Sequence, residues 1–377
     1  MADRVLILTP FFSPNIGGVE THFDDLVTAL DNAGYETEVF TYSPITTEGV
    51  EWKGLETQGK AIIRRFRWFG KNLFHRLEKY PIFDFLYLTP YLALRTLIRL
   101  LSAKGFDVIH AQGFNAALIA VVLRKLGFKF RLVVSTHAVY ELPPESGTAK
   151  LIAGILAQAD QVLCLSDASK KELVSFGVPS ESIELYRYWI DIERFHPMDK
   201  KALRQEIGVE DRFTLLFVGR LIQKKGVREL LEVAAKLTEV QFVFIGVGPE
   251  EERIEAAAQA MPNVRFLGKK ANHELHRYYN LADLFCIPSQ YEEGFGRVVI
   301  EAVACGVPVL GSNRGGLPEA LDPSVAILVD PTAENLEREL SSLLAEPEKL
   351  AELQNNARAF AESRYSQANL SMITRHY

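Results

Sequence analysis

The run from Leu284 to Ser312 constrains this chain more tightly than any other stretch. Leu284–Ile287 is apolar and of strand length, too short for a buried helix. It passes through a loop holding Gly294 and Gly296 into Arg297–Cys305, where Val298, Val299, Ala302 and Val303 recur at helical spacing. Strand, glycine loop and helix in that order are one step of a parallel α/β sheet, whose ligands sit beyond the carboxyl ends of the strands. Unpaired N–H groups and the positive dipole end at the start of the helix suit an anion.

Glu293 lies on that loop and Glu301 a turn inside the helix. On the residues alone two readings stand. Both carboxylates are solvated on an amphipathic helix, as glutamates mostly are; or the loop carboxylate holds sugar hydroxyls while the helix-borne one grips a vicinal diol such as a ribose. The surrounding pattern, E-G-F-G-x-x-x-x-E followed by A-x-A-x-G-x-P-V, closely resembles the donor-site signature of the retaining glycosyltransferases of family 4. The resemblance implies the two-domain GT-B architecture. It also implies that Glu293 contacts the transferred sugar, that the amides of Gly294, Phe295 and Gly296 approach the sugar and phosphates, and that Glu301 holds the nucleotide ribose.

A chain of 377 residues exceeds what one hydrophobic core usually supports, which predicts two domains. Its 48% hydrophobic and 24% charged residues are those of a globular protein, neither disordered nor fibrous. The net charge of −6 gives no electrostatic reason to expect nucleic acid as a partner. Cys164, Cys286 and Cys305 fall in apolar segments without a C-x-x-C pair, which fits a reduced, cytoplasmic compartment. Residues 1–20 lack the pattern of a secretory signal, and the longest apolar runs fall short of the ~20 residues of a transmembrane helix.

Arg4–Thr9 reads as a strand, Pro10–Gly18 as a loop and Val19–Ala33 as a helix stopped by Gly34. The Gly17-Gly18 pair lets backbone approach a ligand without a Cβ in the way, suiting phosphate or an acceptor oxygen, or it is a plain tight turn. P-x-x-G-G-V-E resembles the N-terminal glycine loop of the same family. Residues 60–80 set Lys60, Arg64, Arg65, Arg67, Lys71, Arg76 and Lys79 against Glu78, interleaved with Phe66, Trp68, Phe69, Phe74 and Tyr80. Such a segment, continued by the apolar run Phe83–Leu101, suits an anionic membrane surface or a pyrophosphate-linked lipid; it equally describes a solvated basic face over a core helix.

Arg131–Thr136 reads as a strand that delivers His137 to its carboxyl end, where a histidine serves a ligand or is simply satisfied within the fold. V-V-x-T-H-x resembles the family position whose histidine faces the donor sugar. Ile183–Pro197 resembles the interdomain link, with Tyr188-Trp189 standing where Asn-Gly is common. Beyond Thr214–Val218, Arg220 and Lys225 span a strand-to-helix turn from which both cations can reach a diphosphate. The spacing is not that of a Walker P-loop. G-R-L-x-x-x-K-G matches the family's donor-phosphate motif at Arg220 and Lys225, and Gly315-Gly316-Leu317-Pro318-Glu319 resembles a further loop near the nucleotide. His273 and His276 lack clustered carboxylates or cysteines, and D-x-D is absent, so no metal ligands are predicted.

The expected fold class is therefore α/β, GT-B: two Rossmann-like doubly wound domains facing a cleft. These are residues 1–195 on the acceptor side, 196–360 for the nucleotide sugar, and 361–377 as a C-terminal helix returning to the first domain. The expected activity is metal-independent retaining transfer of a sugar from a nucleotide-diphosphate sugar to a glycan or lipid-linked acceptor, with no cofactor. Glu293, His137, Arg220 and Lys225 are the expected catalytic group, and Gly17, Gly18, Gly294, Phe295, Gly296 and Glu301 complete the binding set. A cytoplasmic protein peripheral to the inner face of the cell membrane is expected. A glycoside hydrolase and a non-catalytic nucleotide-sugar-binding protein are the rival readings.

Overall fold

A computed structural model describes residues 3–47, 49–70, 73–77, 80–102 and 104–377, with backbone alone at 75 and 81. Two compact units emerge, Met1–Trp189 with Gln367–Tyr377, and Ile190–Ser366.

The first unit is built on β1 (Arg4–Leu8), β2 (Glu36–Tyr42), β3 (Leu55–Gln58), β4 (Ala61–Phe66), β5 (Val108–Gln112), β6 (Arg131–Ser135), β7 (Gln161–Cys164) and β8 (Ile183–Leu185). They lie in the order β3-β4-β2-β1-β5-β6-β7-β8, and only the edge pair β3–β4 is antiparallel. The central strands β5 and β7 are buried along their whole length, because helices cover both faces of a parallel sheet. The order reverses at β1–β5: β2 returns to one side of β1 and β5 to the other.

The second unit repeats the plan with β9 (Thr214–Val218), β10 (Gln241–Ile245), β11 (Val264–Phe266), β12 (Leu284–Ile287), β13 (Val309–Ser312) and β14 (Ala326–Val329). All are parallel, in the order β11-β10-β9-β12-β13-β14, so the reversal falls at β9–β12. Crevices at such reversals, beyond the strands' carboxyl ends, are where parallel sheets collect ligands.

The units divide at 189/190 and 366/367 rather than at the expected 195/196 and 360/361. Tyr188 and Trp189 pack on His22 of the first unit, at ring-centroid distances of 4.1 and 5.1 Å. Ile190 N–H instead donates to the Tyr365 carbonyl at 3.0 Å, and Phe195 packs beside Tyr279. Helix Pro347–Arg364 lies on helix Arg297–Ala304, so the return to the first unit starts only after Ser366. There Tyr377 hydroxyl meets His110 Nδ1 at 2.7 Å and Arg375 pairs with Glu184.

Residues 60–80 are not one amphipathic face. Ala61–Phe66 is β4, paired in parallel with β2. The Arg65 side chain is only 2% exposed, with its Nη1 at 2.5 Å from Glu56 Oε2 and its Nε–H on the Ser13 carbonyl. Arg64 reaches Glu38 at 3.3 Å, Phe66 lies in the core, and Trp68 stacks on Tyr42 and Tyr91, at 5.0 Å from each. Lys60, Arg67, Phe69, Arg76 and Tyr80 are exposed; Lys71, Glu78 and Lys79 lie outside the described residues. Downstream, helices Pro81–Leu88 and Pro90–Ser102 expose Ile82, Phe83, Leu86, Leu94, Ile98 and Leu101. Among the described residues no helix is long and apolar enough to cross a membrane.

Candidate functional site

In the second unit the loops leaving β9 and β12 meet at the strand-order reversal. The first makes a single 3-10 turn, Gln223–Lys225, before Gly226 opens helix Val227–Lys236. Gly226 has φ 74°, and a Cβ there would strike the Pro288 carbonyl oxygen, so only glycine brings the loops this close. Gln290 N–H donates to the Lys224 carbonyl at 2.7 Å and laces them together.

That lacing places Lys225 Nζ at 2.5 Å from Glu293 Oε1 and over the Tyr291 ring, 5.2 Å from its centroid. Ser289 hydroxyl donates to the same carboxylate oxygen, and Tyr291 hydroxyl donates to Oε2 at 3.0 Å. Burial opposes the Lys225 charge, but Glu293 and Tyr291 beside it outweigh burial and raise its pKa. The lysine is therefore a fixed cation. Glu293, 5% exposed, is held from behind as well: Gly316 N–H donates to its carbonyl at 2.7 Å, and Gly315 N–H to Glu292 Oε2 at 2.5 Å. Gly315 has φ 59°, and any Cβ would collide with the Glu293 backbone. The G-G-L-P-E loop thus acts as a clamp on the glutamate.

Helix Arg297–Ala304 starts immediately after Gly296. The amides of Gly294 and Gly296 have no acceptor among the described residues, leaving donors at a helix N-terminus. Phe295 is buried against Tyr365, at 5.8 Å between ring centroids. Glu301 is engaged from its own helix and from a neighbouring one. It is 2% exposed, with Arg297 Nε at 3.1 Å from Oε1 and Tyr279 hydroxyl donating to Oε2 at 2.8 Å. Arg220 follows β9, is exposed, and meets no carboxylate among the described residues. Among those residues no three His, Cys, Asp or Glu side chains group as metal ligands.

In the first unit Gly17 precedes helix Gly18–Asn32, and its carbonyl accepts from Thr21 N–H at 3.1 Å. A Cβ at Gly17 would meet the Glu20 carboxylate, so the loop lies tightly against its own helix. His137, just past β6, has both ring nitrogens engaged. Nδ1 lies 3.0 Å from Tyr188 hydroxyl and 3.2 Å from Tyr186 hydroxyl, and Nε2 lies 2.9 Å from Gln112 Oε1. Burial lowers its pKa to about 3, so the imidazole is neutral. The sequence motifs single out neither Gln112 nor Tyr186; the one available signal is that Gln112 ends β5 at the strand-order reversal.

Two parallel-sheet units, each wrapped by helices, are the fold of the GT-B glycosyltransferases. The family description Glycosyltransferase Family 4 matches residues 16–194, and Glycosyl transferases group 1 matches 199–360. The chain belongs to this family of glycosyltransferases. A GDP-mannose-dependent alpha-(1-6)-phosphatidylinositol monomannoside mannosyltransferase of Mycolicibacterium smegmatis is 27% identical over 368 residues, spanning 92% of this chain and 91% of its own. The monoacylated-substrate counterpart from Corynebacterium glutamicum is 24% identical over 96% of this chain and 94% of its own. Among solved structures, sucrose-phosphate synthase from Thermosynechococcus elongatus superposes with TM-score 0.81 at 23% identity, covering 99% of this chain and 98% of that one. Anabaena HepE in complex with UDP and glucose gives 0.78 at 21%, with the same coverage.

Proposed function

We propose that the protein is a retaining hexosyltransferase that moves a sugar from a nucleotide-diphosphate donor to a hydroxyl of a lipid-linked or other glycan acceptor, without a metal. The observation that carries this reading is the buried Lys225–Glu293 pair beside two unmatched glycine amides at the head of a helix. A diphosphate meets three sources of positive potential there: Lys225, the exposed Arg220 and the helix N-terminus. These stabilise the charge that develops on the leaving nucleotide, the task a divalent cation performs elsewhere. Glu293, with Ser289 and Tyr291 already donating to it, is oriented to accept hydrogen bonds from sugar hydroxyls. A ribose at Glu301 competes with Tyr279 for Oε2.

In the transfer the bond from the anomeric carbon to the leaving phosphate oxygen breaks as the acceptor oxygen bonds to that carbon on the same face. The departing phosphate oxygen takes the acceptor proton, so no side chain is assigned as base. Donor binding belongs to the second unit; on the first, His137 and the Gly17-Gly18 loop serve the sugar and an acceptor oxygen. A glycoside hydrolase needs a second carboxyl group open to the scissile bond. Glu301, ion-paired with Arg297 and bonded by Tyr279, is arranged to hold a hydroxyl rather than to exchange a proton at a scissile bond.

The names of the two mannosyltransferase relatives place their acceptors on phosphatidylinositol, which supports a lipid-borne acceptor here. The exposed Ile82, Phe83 and Leu86, at 67%, 59% and 64%, with Arg67 and Arg76 nearby in sequence, support attachment to an anionic membrane at the cytoplasmic face. The test of donor binding is thermal shift across UDP-, GDP- and ADP-sugars, where a ligand at a hundred times its Kd adds about 2.7 kcal/mol. Stabilisation by one nucleotide class followed by transfer supports the proposal. Binding without transfer to any glycan or phosphatidylinositol glycoside defines a sensor instead, and hydrolysis independent of nucleotide defines a hydrolase. For attachment, sedimentation with phosphatidylglycerol vesicles should be lost in Arg67→Ser/Arg76→Ser and in Phe83→Ser/Leu86→Ser; binding unaltered in both overturns it.

A further inference from the structure

Gln112 is the last residue of β5, whose neighbour across the strand-order reversal is β1. The residue is 4% exposed, and its side chain touches His137 through Oε1. Two tyrosine hydroxyls converge on the far nitrogen of that ring, Nδ1. Gln112 faces the ring with Oε1, an acceptor only, so Nε2 carries the one proton of the neutral imidazole and donates it there, and Nδ1 accepts from a tyrosine hydroxyl. The amino group of the carboxamide is turned away from His137. That amino group is buried and has no partner among the described residues. Buried polar groups are nearly always hydrogen-bonded, and an orphan donor at the ligand-collecting point of a parallel sheet marks a place where something else supplies the acceptor.

We propose that Gln112 contacts substrate, its amide N–H donating to a sugar hydroxyl oxygen, and that His137, backed by Tyr188, is a positioning residue that holds the amide in this donating orientation. The inference rests on the glycosyltransferase reading and changes the part His137 plays in it: the histidine acts through Gln112, since neither of its own nitrogens is open. Tyr188, standing where Asn is common in the family, supplies the hydroxyl that keeps Nδ1 an acceptor. His22, 4.1 Å from Tyr188 between ring centroids, packs against that ring.

Two measurements on the full chain test this. Nitrogen-15 NMR of the histidine rings should show His137 protonated on Nε2 alone between about pH 5 and 8; a proton on Nδ1 overturns the orientation argument. Steady-state kinetics should show Gln112→Met raising KM by about 3- to 10-fold, the worth of one neutral hydrogen bond. KM for GDP-mannose, UDP-glucose or ADP-glucose, whichever the parent uses, is compared with KM for phosphatidylinositol monomannoside, and the one that moves identifies which sugar Gln112 touches. Tyr188→Phe, which leaves Tyr186 alone against Nδ1, should shift the same KM by a smaller factor. A parent that transfers sugar, with both KM values unaltered in Gln112→Met, assigns the amide to a buried water and refutes the inference while leaving the function intact. A parent that transfers from no donor refutes the function itself.

Discussion

Replacing Glu293 by Gln leaves Lys225 as a buried cation without its counter-ion. The two charges stand 2.5 Å apart with side-chain exposures of 14% and 7%. At an effective dielectric near 20 their gross attraction is about 6–7 kcal/mol, most of it offset by the desolvation both groups suffer. Deleting one member of such a pair costs about 3–5 kcal/mol, because the survivor stays buried without compensation. Gln keeps an oxygen for Ser289 and Tyr291, which places the expected loss at the lower end, about 3 kcal/mol. At about 2–4 °C per kcal/mol for a unit of this size, the melting transition of the second unit should fall by about 6–12 °C. Differential scanning calorimetry resolves that transition. The decisive form is the cycle with Lys225→Met: the double variant should recover at least about 1.5 kcal/mol of the summed single losses. Single variants that melt within about 1 °C of the parent, or a strictly additive double variant, would refute the claim that these charges depend on each other.

Three further outcomes are expected. Lys225→Ala should weaken binding of the nucleoside diphosphate by about 10- to 100-fold in calorimetric titration, the worth of one charge-assisted hydrogen bond, whereas Glu293→Gln should depress kcat more than donor affinity. Burial lowers the pKa values of His110 and His137 from 6.5 to about 3 each, His110 also feeling His137 and His376. The unfolded chain takes up protons first, so stability should be level above about pH 7 and fall below 6.5 by up to about 1.4 kcal/mol per pH unit for each histidine; His110→Asn should reduce the slope in denaturant titrations at a series of pH values. Arg65→Ala should cost about 3 kcal/mol or more in urea unfolding while leaving vesicle binding of the folded protein unchanged, because its guanidinium serves Glu56 and the Ser13 carbonyl rather than the surface.

The glycine loops of the second unit were readable in advance because their chemistry is local. Gly226, Gly296 and Gly315 are demanded by positive φ or by approaching backbone, and Lys225 sits next to Gly226 and Glu293 three residues before Gly296 in the chain. Where burial is decided by partners distant in sequence, residue type misleads. Arg65 reads as a surface cation, yet Glu56 on the antiparallel edge strand and a carbonyl of the first loop draw it inside. Glu301 reads as a helix-borne carboxylate, and the hydroxyl that engages it comes from Tyr279, a residue of another helix. His137 is placed by strand logic, but its partners Gln112, Tyr186 and Tyr188 come from three separate segments that only the sheet order brings together. Between residues 43 and 105 the alternation of strand and helix gives way to an antiparallel edge and three successive helices, and the basic-aromatic composition there is divided between core and surface.

The first unit is closed by a segment made after the whole of the second. His110 on β5 waits for a hydroxyl 267 positions downstream, and Glu184 for Arg375 and His376. On the ribosome the early sheet therefore forms with Tyr377's seat still vacant. The later sheet, continuous in the chain, can complete itself before the earlier one does. Order of synthesis and order of completion are then reversed, and a shortened tail should injure the half of the protein that was made first.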